Sequence, residues 1–101
     1  MISDASASSV PAPGSPGGIT VTVRYFASIR EAVGRGGETL ATRAATPGAL
    51  RDELIARGGP WAEALARGRA VRVALDQVLC GEDAALAEGA EVAFFPPVTG
   101  G

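Results

Sequence analysis

Ile19-Thr20-Val21-Thr22-Val23-Arg24-Tyr25-Phe26 alternates between two kinds of side chain. Ile19, Val21, Val23 and Tyr25 fall on one parity, and Thr20, Thr22, Arg24 and Phe26 on the other. A period of two, rich in β-branched residues, marks a strand with one buried face, because successive side chains point to opposite sides of a sheet. The chain then turns back. Ala27–Val33 predicts a short helical turn closed by Gly34 and the Gly36-Gly37 pair, since glycine accepts the left-handed backbone that ends helices. Glu38–Arg43 predicts a second, weaker strand, so the chain opens as a β-hairpin with a long connection.

Downstream, Thr46-Pro47 combines an N-cap oxygen with a proline at the first helical position, which predicts a helix start. Leu50, Leu54 and Ile55 form its apolar stripe, and Glu53 and Arg57, four apart, are expected to pair on the exposed side. Gly58-Gly59 ends this helix and Pro60 opens a shorter one, with Trp61 and Leu65 facing inward as far as Gly68. Trp61 is read as a helix–sheet packing residue. Val71, Val73 and Leu75 alternate with Arg72, Ala74 and Asp76 as a third strand, and Asp76-Gln77 is a tight turn into a brief strand, Gln77–Cys80. Leu86 stands alone in a polar connection and Glu88-Gly89 is a turn. Glu91–Phe95 is the last strand, stopped by Pro96-Pro97, which cannot donate to a ladder. This order predicts an α+β fold with a helix packed on one face of a mixed sheet of four to five strands, with one or two further short helices; β-grasp (ubiquitin-like) is the small fold it matches most naturally.

The 101 residues are expected to divide into a leader, 1–18, a domain, 19–95, and an extended tail, 96–101. The leader, MISDASASSVPAPGSPGG, carries one charged side chain, Asp4, and buries too little apolar surface to offset the entropy of ordering. Apolar content of 47% and charged content of 20% are ordinary for a globular chain. A net charge of −2 offers no basic field for nucleic acid. No stretch is apolar for the ~20 residues of a membrane span, and no positive segment precedes an apolar one as in a secretory signal. A cytoplasmic location follows by default. With no histidine and one cysteine, the chain has no disulfide of its own and no metal site. It also shows no phosphate-binding loop or paired acid and base, so it is read as non-catalytic on its own. Cys80, on an apolar strand, is read as a small buried hydrophobe rather than a sulfur-relay thiol.

The chemistry is expected in Pro96-Pro97-Val98-Thr99-Gly100-Gly101. Adjacent prolines hold the exit extended. Val98 and Thr99 can seat in a partner's groove, and Gly100-Gly101 has no side chain to obstruct a narrow tunnel. No charged side chain follows Glu91, so the passage carries little desolvation cost. Gly-Gly also occurs at Gly17-Gly18, Gly36-Gly37 and Gly58-Gly59; its place at the end of an apolar, proline-gated exit is what distinguishes the last pair. A partner using ATP could turn the Gly101 carboxylate into an acyl-adenylate. Attack by sulfur then gives a thiocarboxylate, and attack by an amine gives an isopeptide bond; the residues leave both outcomes open.

Glu91-Val92-Ala93-Phe94-Phe95-Pro96-Pro97-Val98-Thr99-Gly100-Gly101 resembles the C-terminal signature of the molybdopterin synthase small subunit, a ubiquitin-like sulfur carrier. Val23-Arg24-Tyr25-Phe26-Ala27-Ser28-Ile29-Arg30-Glu31 is similar to that family's first strand and turn. The resemblance runs from Ile19 to Gly101; the family often has asparagine where Asp76 stands. It implies that Gly101 is adenylated by an ATP-dependent activating enzyme, loaded from a sulfurtransferase as a thiocarboxylate, and inserted into a large catalytic subunit, the assembly being a heterotetramer. There the sulfur would pass to a cyclic pterin precursor and build the dithiolene of molybdopterin. Pro96, Pro97, Val98, Thr99 and Gly100 would line the partner's channel, and Phe26, Phe94 and Phe95 would belong to an apolar docking surface. No cofactor would be bound; ATP would belong to the activating enzyme. The alternatives are a carrier for thiamine, cysteine or tRNA thiolation, a ubiquitin-like protein modifier, and a plain interaction module.

Overall fold

The computed structural model describes residues 18–97. Its strands are β1 (Ile19–Tyr25), β2 (Gly37–Thr42), β3 (Arg72–Leu75), β4 (Val78–Cys80) and β5 (Glu91–Phe95), and its helices α1 (Ala27–Val33), α2 (Pro47–Ile55) and α3 (Gly59–Ala64). The strands form one sheet in the order β2-β1-β5-β3-β4. β1 runs antiparallel to β2 and parallel to β5, while β3 runs antiparallel to both β5 and β4. A mixed sheet with its helices packed on one face is the α+β, ubiquitin-like β-grasp arrangement. The final strand is thereby placed inside the sheet, between β1 and β3.

The alternation in β1 is realised as read. Val21, Val23 and Tyr25 are buried with Val73, Val92 and Phe94 on one sheet face, against Ile29 and Val33 of α1, Leu50 and Leu54 of α2, and Leu65. The Thr46 hydroxyl caps α2 by accepting from Ala49 N at 3.1 Å, with Pro47 in the first turn. Gly34 closes α1 at φ 82°. Asp76 and Gln77, at φ 48° and 72°, both turn left-handed between Leu75 and its ladder partner Val78. Gln77 is therefore part of the two-residue hairpin turn and not of β4.

Two sequence expectations are corrected and a third, the packing role of Trp61, holds with an addition. Glu53 and Arg57 do not pair: α2 ends at Ile55, so Arg57 lies beyond its last turn. The Glu53 carboxylate instead accepts from Thr42 Oγ1 at 2.5 Å, and Arg57 donates twice to Glu38, at 2.8 and 3.0 Å. Leu86 is not isolated: it packs against the core, and its N–H donates to Ala45 O at 2.9 Å. Trp61 packs at the core margin but also donates through Nε1 to Tyr25 Oη at 3.1 Å, with the Arg57 and Arg35 guanidiniums 4.9 and 5.7 Å from its ring centre.

Leu50-Arg51 falls where the resembled family has comparable residues, but the burial of Arg51 is a feature the sequence did not announce. The residue is 4% exposed in the middle of α2. Its guanidinium donates to the carbonyl oxygens of Leu65 (2.7 Å), Ala66 (2.6 Å) and Arg69 (3.1 Å), and to Glu82 (2.6 Å). Arg67 grips the same Glu82 carboxylate and also Asp52. A buried charge is tolerated only when its hydrogen bonds are filled, and these partners tie the segment after α3 and the loop before β5 to α2.

Candidate functional site

Strand β5 hands the chain directly into Pro96-Pro97, both partly buried. Its parity decides which aromatic ring can meet a partner. Phe94 stands opposite Tyr25 and Val73 and is 0% exposed. Phe94 is therefore core, and its assignment to the docking surface is corrected: the ring is spent on packing against the helices. Phe95 has the opposite parity and is partly exposed.

The helix-free sheet face around Phe95 follows from the register. Arg24, Ala93, Ala74 and Leu79 form one cross-strand row from β1 to β4, and Phe95 and Arg72 form the next row. Directly paired residues project to the same side of a sheet. Phe26 follows β1 as the N-cap of α1, its extended backbone (φ −128°, ψ 154°) leaving the ring 40% exposed. Its N–H donates to Phe94 O at 3.2 Å. Ala27 follows at φ 53°, a left-handed conformation uncommon outside glycine, where the chain swings from strand into helix. The Arg24 guanidinium lies 5.7 Å from the Phe26 ring centre and pairs with Glu91 at 3.2 Å.

The structure thus brings Phe26 and Phe95 to the root of the tail and adds residues that sequence reasoning missed. Leu79 is 58% exposed and Val78 67% on the edge strand β4. Leu79 shares the face of Ala74 and Ala93, and Arg24 and Arg72 flank this apolar strip. The Val78-Leu79-Cys80 run was read only as a strand; counting parity through the Asp76-Gln77 turn would have set Leu79 apart. Val98, Thr99, Gly100 and Gly101 lie outside the described residues, as does the leader apart from Gly18.

At the root of the tail the described residues form a partly exposed apolar strip flanked by two arginines. Cys80 is half-buried on the Val73 row; burial pushes its thiol up, against a backbone hydrogen bond involving Leu75. The shift disfavours the thiolate, which is the nucleophilic form. Among the described residues no group of three or more His, Cys, Asp or Glu side chains could hold a metal ion, and no helix is long and apolar enough to cross a membrane.

Comparison with known proteins places the chain. The ThiS family matches residues 23–101. The molybdopterin synthase sulfur carrier subunit of Haemophilus influenzae is 42% identical over 81 residues, spanning 80% of this chain and 99% of that protein. The protein of the same name in Escherichia coli is 43% identical over 81 residues, with the same coverage. Among solved structures, the Haloferax volcanii HVO 2177 protein superposes with a TM-score of 0.72 at 27% identity, covering 90% of this chain and 94% of its own. The Helicobacter pylori complex of subunits 1 and 2 of molybdopterin-converting factor contains a chain matched at TM-score 0.55 and 27% identity, over 82% of this chain and all of that one. Matched from Val23 to Gly101 by the family and across nearly the whole length of two curated relatives, the chain belongs to the ThiS family.

Proposed function

We propose that this chain is the sulfur carrier subunit of a molybdopterin synthase, with Gly101 as the atom-carrying end. The observation that carries this reading is identity of 42% and 43% over 99% of two proteins named molybdopterin synthase sulfur carrier subunit. An ATP-dependent activating enzyme converts the Gly101 carboxylate to an acyl-adenylate with release of pyrophosphate. A sulfide nucleophile, supplied through a sulfurtransferase, attacks the acyl carbon, AMP leaves, and a thiocarboxylate remains. Pro96, Pro97, Val98, Thr99 and Gly100 then thread the tail into the large catalytic subunit, where the sulfur passes to a cyclic pterin precursor to form the dithiolene.

The body supplies adhesion. Phe26, Phe95 and Leu79 form the apolar centre that seats on the large subunit, with Arg24 and Arg72 as its charged rim. The likeness to a chain in the Helicobacter pylori complex supports a two-subunit assembly, here a heterotetramer. The carrier binds no cofactor, works in the cytoplasm and leaves catalysis to its partners.

The test is intact mass after incubation with the host's activating enzyme, ATP and sulfide. One oxygen is replaced by sulfur in the full chain and none in a chain lacking Gly100-Gly101. An unchanged mass with an active enzyme overturns the carrier reading, and high-mass conjugates turn it into a modifier. Copurification with a pterin-binding large subunit separates molybdopterin synthesis from thiamine, cysteine or tRNA thiolation.

A further inference from the structure

We infer that this chain can carry an activated C-terminus without acylating its own side chains, because each of its cationic side chains is a guanidinium. The inference rests on Gly101 being the activated end. The sequence has nine Lys and Arg residues, all nine of them arginine, and no histidine. An acyl-adenylate or thioester is consumed by a free amine: the C–N bond forms, AMP or thiol leaves, and the amine's proton passes to solvent. At about pH 8 a lysine of pKa about 10.4 is roughly 0.4% free amine, whereas a guanidinium is effectively always protonated and offers at least about a hundredfold less free base.

The arginines stand where an amine would do most harm. Arg72 is the ladder partner of Phe95, the last residue of β5, and Arg24 lies against Phe26. Both are exposed. Pro96 to Gly101 is six residues of chain, a reach of up to about 20 Å, so the acyl end of the same or a second copy can come to this face. Lysine at either position would set a primary amine within reach of the activated carbon. Arginine keeps the positive charge and removes the competing nucleophile. Cys80 is no substitute: it is part-buried on the Val73 row, on the sheet face opposite Arg24 and Arg72, and a thioester formed on it has no lysine on this chain to capture the acyl group. Histidine and asparagine are missing too, and the chemical consequence is the same whatever produced that bias. Amide formation between Gly101 and a side-chain amine thus requires a different protein, and copies of this chain do not link through side chains.

The experiment uses the full chain, N-acetylated to block the α-amine and carrying a chemically prepared α-thioester at Gly101. It is held at about pH 8, where lysine has usable free amine, and followed by intact mass and reducing electrophoresis. The unaltered sequence forms neither thiol-resistant dimer nor amide-closed ring. Arg24→Lys and Arg72→Lys, checked for folding by thermal melting, form such products at least about tenfold faster. Equal rates in the unaltered chain and the variants overturn the inference. The thioester is made without the activating enzyme, so this outcome is separate from the sulfur-for-oxygen mass change that decides the carrier reading.

Discussion

Phe26 donates its backbone N–H to the carbonyl oxygen of Phe94 at 3.2 Å, carrying the parallel β1–β5 pairing one residue past the end of β1. Through this bond an exposed aromatic ring is fastened to the strand that leads into the tail. The two residues divide the labour: Phe94 fills the core and Phe26 stays available.

That division predicts opposite phenotypes. Phe26→Ala and Leu79→Ala weaken binding of the large subunit by about 2 kcal/mol each, roughly thirtyfold in Kd, as expected of central contacts in an interface. Their unfolding free energies stay within about 0.5 kcal/mol of the parent. Phe94→Ala lowers stability by about 3–5 kcal/mol through the cavity it leaves. Calorimetric titration and urea denaturation separate the two; a large stability loss in Phe26→Ala would contradict the assignment.

Arg51 predicts a stability effect far above that of a surface charge. Its replacement by methionine strips donors from Leu65 O, Ala66 O and Arg69 O and frees Glu82 from one partner. Orphaned buried acceptors and a broken part-buried ion pair together cost about 3 kcal/mol, read as a lower urea midpoint. Arg24→Met, whose ion pair with Glu91 is exposed, should cost under about 1 kcal/mol.

Glu38 makes the fold sensitive to acid. Burial pushes its carboxyl up, but hydrogen bonds from Arg57 and from the Tyr25 hydroxyl, with the Arg57 and Arg35 charges, outweigh burial and hold it below the ordinary range. A carboxylate depressed in the folded state stabilises above its unfolded value, and that contribution is lost as pH falls through the folded one. Stability should therefore decline as pH drops below about 4.3, the ordinary glutamate value. Glu38→Gln lowers stability at neutral pH and flattens this acid limb, measured as urea midpoints against pH; an unchanged slope would exclude Glu38 as a contributor.

Two backbone positions give substitutions of opposite sign. Gln77 sits at φ 72° in the β3–β4 turn, so Gln77→Gly relieves left-handed strain and stabilises by about 0.5–1 kcal/mol. At Gly37 an added Cβ would lie 2.7 Å from the Val23 carbonyl oxygen. Gly37→Ala must push β2 away from β1 and should cost about 2 kcal/mol. Thermal melts of both variants check the pair of signs.

Local order could be read from the chain because its causes are local. Alternation marked Val21, Val23 and Tyr25 as a buried row, Thr46-Pro47 as a helix start, and Gly34 and Asp76-Gln77 as reversals, since each depends on residues within a few positions. The chemical character of the tail, uncharged after Glu91 and closed by Gly100-Gly101, is likewise a property of composition and position. Tertiary structure decided what depends on distant partners. Tyr25 meets Glu38 thirteen residues away, and Arg51 meets Glu82 thirty-one residues away. No local pattern encodes such pairings, so Arg57 was paired with its helical neighbour Glu53 rather than with Glu38. Phe94 and Phe95 look alike as residues, and only the placement of β5 between β1 and β3, with helices on one face, sends one ring into the core and leaves the other beside Arg72.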